Sequence, residues 1–222
     1  MTSTAVTAYH RANSALYGYF LLLLVWAPLP LASNRDWSTA LLACLLLGGL
    51  LCALVLLWSG QLRVTPALRR AWPALGALAA AQLWVLLQLV FGVSVAPDAT
   101  RMGLLLGCGL VAAFVLVVLL VDSRERGVFT ARVRVWCGVF QAFFAAAMMM
   151  SGVEQIAFLE KTFGSSSATG TFINRNHLAG FLEMNLAIGI GMLVAQLHRH
   201  PAANWREFMR RTIDTILSRK FR

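Results

Sequence analysis

Six long apolar runs constrain this chain more than any other feature of its sequence. Each run is close to the length of about 20 residues that crosses the hydrocarbon core of a bilayer as a helix. The chain is 59% hydrophobic and only 13% charged, whereas a soluble domain carries roughly a quarter charged residues. Only helices and closed barrels satisfy their backbone in lipid, and the sequence lacks the short alternating segments of barrel strands. The sequence therefore predicts an all-α, polytopic transmembrane helix bundle.

The bundle is predicted to be a single membrane domain over residues 1–222. The six predicted spans cover about residues 16–32, 39–58, 72–90, 102–121, 133–150 and 178–197. Asn204 and Glu207 have the spacing of a capping box, and apolar residues recur at helical spacing after them. This pattern predicts an amphipathic helix over 204–222 that lies on the cytoplasmic face of the membrane. Because such a basic helix often leads into another span, we expect the chain to be the N-terminal portion of a longer protein.

The net charge of +10 is explained by topology rather than by nucleic acid. Fifteen of the 19 Lys and Arg residues fall before the first span, between the second and third, around the link between the fourth and fifth, or after the sixth. The other side holds four, namely Arg35, Arg101, Lys161 and Arg175. Since positive charge stays on the cytoplasmic face, we expect both termini to be inside, and the excess charge to favour anionic lipid.

The longest outer loop, 151–176, divides into two predicted parts. Apolar residues from Val153 to Phe163 favour a short helix in the membrane interface. The following stretch 164–170 is rich in Gly and Ser, a composition typical of flexible segments. Such a loop can be a gate over a site or a plain connector, and the sequence leaves both open.

Small residues and cysteines in the spans are predicted to serve packing. Gly103 and Gly107 form a small-xxx-small pair in the fourth span, which favours close helix contact. No metal spacing occurs among the cysteines, which are expected to be buried apolar thiols: Cys44, Cys52, Cys108 and Cys137.

The candidate site is a polar cluster that directly precedes the last apolar run. Asn174, Arg175, Asn176 and His177 lie at the mouth of the predicted helix, where free N–H groups and the helix dipole favour an anion. Arg175 adds a permanent charge and a planar fork suited to phosphate, and His177 can donate or accept a proton. Glu183 lies two turns deeper, where a carboxylate needs a partner or water.

Each member of this cluster also has a purely structural explanation, such as a helix cap, a head-group contact or a helix–helix hydrogen bond. Arg35 and Arg101 on other outer loops favour the anion site, because three arginines can converge on one face. Asp36 and Asp98 are close to them in sequence, and pairing with these carboxylates is the alternative.

Three stretches of the chain resemble the O-antigen ligase and polysaccharide polymerase (Wzy-like) family of bacterial inner-membrane proteins. TGTFINRNHLAGFLEM, followed by NLAIGIG, resembles the signature of that family. APLPLASNRDWS at 27–38 and VAPDATR at 95–101 resemble its first and second outer loops. The resemblance covers the front portion of such proteins, whose later part carries more helices and a large outer loop with a histidine thought to act in catalysis.

The resemblance implies a metal-independent glycosyltransferase without a cofactor, acting on the periplasmic face of the inner membrane. The donor would be a glycan on undecaprenyl diphosphate, and the acceptor a sugar hydroxyl of lipid A core or of a growing polysaccharide. Preorganised positive charge would stabilise the leaving diphosphate, and a general base would activate the acceptor hydroxyl. The implied diphosphate contacts are Arg175, Arg101, Arg35, Asn174 and Asn176, with His177 as a weak catalytic candidate and Glu183 as a supporting polar group.

Two other functions use the same residues. A transporter or flippase for an anionic or lipid-linked solute would bind with these arginines and perform no chemistry. The third alternative is a non-catalytic membrane subunit or truncated product that a partner stabilises.

Overall fold

The computed structural model describes residues 3–152, 155–156, 159–160 and 168–199, and the single positions 206, 209, 210 and 213. The described residues are almost entirely helical, which confirms the predicted all-α class. The helices are α1 (Ser3–Trp26), α2 (Asp36–Trp58), α3 (Pro66–Val90), α4 (Pro97–Leu120), α5 (Arg124–Ser151) and α6 (Arg175–Arg199). A short 3-10 turn at Leu31–Ser33 and a two-residue strand pair, β1 (Gln155–Ile156) with antiparallel β2 (Leu159–Glu160), complete the described elements.

Five helices, α2 to α6, are long and apolar enough to cross a membrane. Helix α1 falls outside this group because polar residues, among them Arg11 and Asn13, occupy its first half. It also ends earlier than the predicted span of 16–32. The chain leaves the helix after Trp26, where Pro28 and Pro30 follow and cannot donate the N–H groups that a continuing helix needs.

Consecutive helices alternate in direction along the first five. Their links are 27–35, 59–65, 91–96 and 121–123. Even the longest link, fully extended at about 3.5 Å per residue, is too short to run the roughly 36 Å length of a 24-residue helix. We call the end formed by 27–35, 91–96 and 152–174 the three-loop end. The end formed by 59–65 and 121–123 is the two-loop end.

The main core lies where α1, α2 and α4 meet. Phe20, Leu116 and Leu119 are almost completely buried there. Helices α2 and α4 approach most closely at Gly109, where an added Cβ would lie 3.0 Å from Cα of Ala43. A side chain at that position would push the helices apart, so the contact depends on glycine.

The predicted small-residue pair of α4 is confirmed at one of its two positions. Gly107 faces the side chain of Gln82 on α3, which occupies the space of a Cβ. Gly103 has open space beside it. The predicted burial of the thiols is wrong for two of the four cysteines, because Cys44 and Cys52 are exposed on α2. These two face outward from the bundle, where lipid rather than protein covers an apolar group.

Arg126 holds the two-loop end together. Its guanidinium donates to Oδ1 of Asn13 at 2.9 Å and to the carbonyl of Leu120 at 2.8 Å, and it lies 3.6 Å from Asp122. It also stacks over the ring of Tyr17, whose hydroxyl donates to the carbonyl of Arg126. This single side chain therefore joins α1, the end of α4 and the start of α5.

Helix α5 begins earlier than its predicted span of 133–150. The side chain of Ser123 accepts from the N–H of Arg126 and caps the helix, so that α5 starts at Arg124. The arginines of this region were expected around the link between the fourth and fifth spans. Arg132 and Arg134 lie within α5.

The short helix predicted from Val153 to Phe163 is wrong at its described positions, where β1 pairs with β2. Gly152, in the left-handed conformation at the end of α5, directs the chain out of the helix. The amphipathic helix predicted over 204–222 lies outside the described residues except at Arg206, Met209, Arg210 and Ile213, which are helical.

Candidate functional site

The chain enters α6 through a buried segment, 168–174, which we call the entry segment. Thr169, Gly170, Thr171 and Phe172 are all buried, although the sequence predicted flexibility up to residue 170. Phe172 packs on Phe181 of α6 with 5.3 Å between ring centroids. This part of the Gly- and Ser-rich stretch is therefore a fixed approach to the helix.

Gln141 of α5 holds the entry segment in place. Its Nε2 donates to Oγ1 of Thr171 at 2.7 Å, and its Oε1 accepts from the backbone N–H of Thr171 at 3.1 Å. The hydroxyl of Thr171 in turn donates to the carbonyl of Pro28 in the α1–α2 loop. Gln141 is completely buried, so these bonds offset the cost of placing an amide inside an apolar helix bundle.

Glycine is required at position 170 for two reasons. Gly170 has a left-handed backbone with φ of +57°, which other residues adopt only at a cost. A Cβ at this position would also lie 2.8 Å from Oε1 of Gln141. The TG pair of the sequence motif thus allows the closest approach of the entry segment to α5.

The α1–α2 loop packs against the entry segment and carries backbone strain. Leu31, Ala32 and Ser33 all have φ values between 52° and 54°, a left-handed conformation that costs about 1–2 kcal/mol for each residue with a side chain. Leu31 is buried beside Ile173 of the entry segment. Strain of this kind persists where the surroundings over-determine the backbone, often at functional sites.

Arg175 begins α6 directly after this fixed segment. Oδ1 of Asn174 accepts from the N–H of Asn176 at 2.8 Å, so Asn174 is the helix cap. Arg175 and His177 are exposed and have no hydrogen-bond or ion-pair partner among the described residues. The site thus presents an unpaired guanidinium and an imidazole at a helix N-terminus, an arrangement suited to an anion.

Arg35 and Arg101 differ in their surroundings at the three-loop end. Arg35 ends the same α1–α2 loop that contacts the entry segment, and it is exposed. Arg101 lies in the first turn of α4, where it pairs with Asp98 at 3.0 Å. Both partners are largely exposed, so this ion pair is weak. The convergence of all three arginines on one ligand stays a prediction.

Glu183 lies on the side of α6 that faces away from α5. It is exposed and has no ion-pair partner in the described part of the chain. The opposite side of the helix packs on α5, where Asn185 contacts Gly138. A Cβ added at Gly138 would lie 2.7 Å from Cβ of Asn185. The predicted supporting role of Glu183 therefore needs a group from outside the described residues.

The residue most clearly missed by the sequence prediction is Gln141. A glutamine inside an apolar run of 133–150 is a signal in itself, because polar groups in a span need a partner. Its partner, Thr171, lies 30 residues away in a segment that composition marks as loose, so the pairing could not be inferred from spacing.

Comparison of this chain with protein-family models, with curated proteins and with solved structures finds no match. The function is therefore argued from the site.

Proposed function

We propose that the chain is a membrane glycosyltransferase-like protein of the O-antigen ligase or polysaccharide polymerase type. It would act on the periplasmic face of a bacterial inner membrane and use a glycan on undecaprenyl diphosphate as donor. The observation that carries the proposal is the exposed guanidinium of Arg175 at the start of α6, which has no partner in the described ranges and follows a backbone fixed by Gln141. The resemblance of the 169–183 stretch to that family points in the same direction.

The chemistry assigned to the site is stabilisation of a leaving group. When the glycosyl bond breaks, negative charge develops on the diphosphate, and a cation already in position stabilises that charge without reorganising. Arg175 supplies the cation, and the free N–H groups of the first turn of α6 add partial positive charge. Arg35 is the second contact we assign, because its loop packs against the entry segment.

His177 is assigned a proton-transfer or hydrogen-bonding role near the acceptor hydroxyl. It lies two residues after Arg175 and is exposed at the same helix start. A neutral imidazole can accept a proton near physiological pH, which a general base requires. The histidine expected in the later part of the family would be the stronger base, so we assign His177 the secondary role.

A transporter remains the rival function, but the helices do not favour it. Secondary transporters bind solutes at the bilayer midplane, between helices interrupted there. The six described helices are continuous, and the candidate site lies at a helix end rather than at mid-length.

The proposal is tested by replacing Arg175 with alanine in the chromosomal copy of the gene. Because one preorganised contact to a developing charge contributes about 100- to 1000-fold in rate, Arg175→Ala should reduce surface polysaccharide to a trace. The measurement is gel analysis of extracted polysaccharide, with immunoblotting of membranes to verify that the protein inserts.

Arg70→Ala is the matched control, since Arg70 is an exposed arginine at the two-loop end of α3. It should leave the polysaccharide unchanged. Normal polysaccharide in Arg175→Ala at normal protein level would refute the proposal.

A further inference from the structure

We propose that Arg134 binds a phosphate group of a membrane amphiphile at the contact between α5 and α6. Arg134 belongs to α5, one of the five helices long and apolar enough to span a membrane. Its guanidinium lies over the ring of Phe181 on α6, 5.0 Å from the ring centroid. The proposal concerns binding alone and does not depend on glycosyl transfer.

No residue in the described part of the chain supplies a counter-charge for Arg134. An arginine is permanently charged, and a charge in a membrane-spanning helix is costly unless it is paired. Among the described residues, no ion pair includes Arg134. The stacking on Phe181 lowers the cost only in part, because a cation–π contact contributes about 0.5–2 kcal/mol.

The side chain of Arg134 extends towards the three-loop end, which is the more distant end of α5. Arg134 lies 17 residues before the end of α5 at the three-loop end, whereas Phe181 lies only six residues into α6 from that same end. Gly138 of α5 contacts Asn185 of α6, which puts Phe181 about one turn beyond Gly138 towards the three-loop end. The guanidinium therefore extends along α5 towards that end to reach the Phe181 ring. A side chain that only needed water would extend to the nearer, two-loop end.

The ligand that suits Arg134 is a phosphate. Arg134 is half-buried, so part of its surface stays open to the surroundings of the bundle. A guanidinium binds phosphate through two parallel hydrogen bonds, and the phosphates that a membrane supplies are those of its amphiphiles. The ligand is therefore either a phospholipid head group or a prenyl diphosphate, which share this chemistry.

The proposal is tested by equilibrium binding to the protein in phosphatidylcholine nanodiscs. Three probes distinguish the source of the phosphate: phosphatidylglycerol, farnesyl diphosphate and inorganic diphosphate. Arg134→Met should weaken binding of at least one probe about tenfold or more, equivalent to about 1.4 kcal/mol. Arg124→Met, an exposed arginine at the start of the same helix, should bind all three like the wild type.

The pattern of the loss identifies the ligand. A loss restricted to phosphatidylglycerol identifies a head-group site, and a loss restricted to farnesyl diphosphate identifies a prenyl carrier. A loss that includes inorganic diphosphate identifies a site for the phosphate group alone. Equal binding of every probe by the wild type and Arg134→Met would overturn the proposal.

Further variants test the proposal if Arg134→Met does not fold, and test Glu183 as a partner of Arg134. If Arg134→Met does not fold, Arg134→Lys serves instead, because it keeps the charge, loses the planar fork and should still weaken binding. A double-mutant cycle of Arg134→Met with Glu183→Gln then tests whether Glu183 is the counter-charge. A non-additive effect of the two substitutions on thermal stability would show that Glu183 pairs with Arg134. That result would also overturn the proposal.

Discussion

Two arginines at opposite ends of the bundle have opposite surroundings. At the two-loop end, Arg126 donates to Asn13 and to the carbonyl of Leu120, lies near Asp122 and stacks on Tyr17. At the three-loop end, Arg175 is exposed and pairs with no group among the described residues. In both places the local backbone is capped and ordered, so the difference lies in what surrounds the charge.

The difference separates a structural arginine from one that is free to bind. A charge that the protein itself neutralises is part of the fold, and its removal leaves unsatisfied polar groups behind. A charge that is exposed on a fixed backbone contributes little to folding, because water solvates it. Substitution of Arg126 should therefore lower stability, whereas substitution of Arg175 should impair function.

The largest stability effect is expected for Arg126→Met. The change leaves Oδ1 of Asn13 and the carbonyl of Leu120 without their donor, which should cost about 3 kcal/mol. Thermal unfolding of the purified protein in detergent measures this loss. Arg124→Met is the matched control and should stay within about 0.5 kcal/mol of the wild type. A variant as stable as the wild type would mean that Arg126 does not hold this end together.

A smaller loss is expected for Gln141→Leu, which should connect stability with function. The substitution leaves the N–H of Thr171 unsatisfied in a buried place, at a cost of about 2 kcal/mol. The entry segment is then no longer fixed to α5. Polysaccharide synthesis should therefore fall by more than the loss of folded protein explains. The readout is the amount of polysaccharide per inserted protein molecule.

Gln82→Leu gives the comparison for that experiment, since Gln82 lies on α3 and faces α4 rather than the entry segment. It should not reduce polysaccharide per inserted molecule. An equal reduction in both variants would contradict a specific role for Gln141 in positioning the site.

The smallest effect is expected for Ala32→Gly in the strained α1–α2 loop. Ala32 has φ of 54°, where glycine carries no steric penalty. Relief of this strain, less the greater entropy of glycine in the unfolded chain, should change stability by at most about 1 kcal/mol in the favourable direction. Ala32→Val should instead destabilise, because a β-branched side chain fits a left-handed backbone poorly. A more stable Val variant would show that the loop is not strained.

The sequence predicted the class of the fold well, because long apolar runs admit few structures in a membrane. Boundaries were less predictable, since caps such as Ser123 and Asn174 shift a helix start by several residues. The contact between Gln141 and Thr171 was out of reach, because it joins residues 30 positions apart. The contact of Arg134 with Phe181 was also out of reach, because it joins residues of two different predicted spans.

The most direct test of the central claim is the accessibility of position 175 in intact cells. Arg175→Cys, in a background without the four native cysteines, should react with a membrane-impermeant maleimide added from the periplasmic side. Ser123→Cys at the two-loop end should react only after the cells are opened. Labelling of position 175 only after opening, or only after denaturation, would contradict an exposed guanidinium on the periplasmic face.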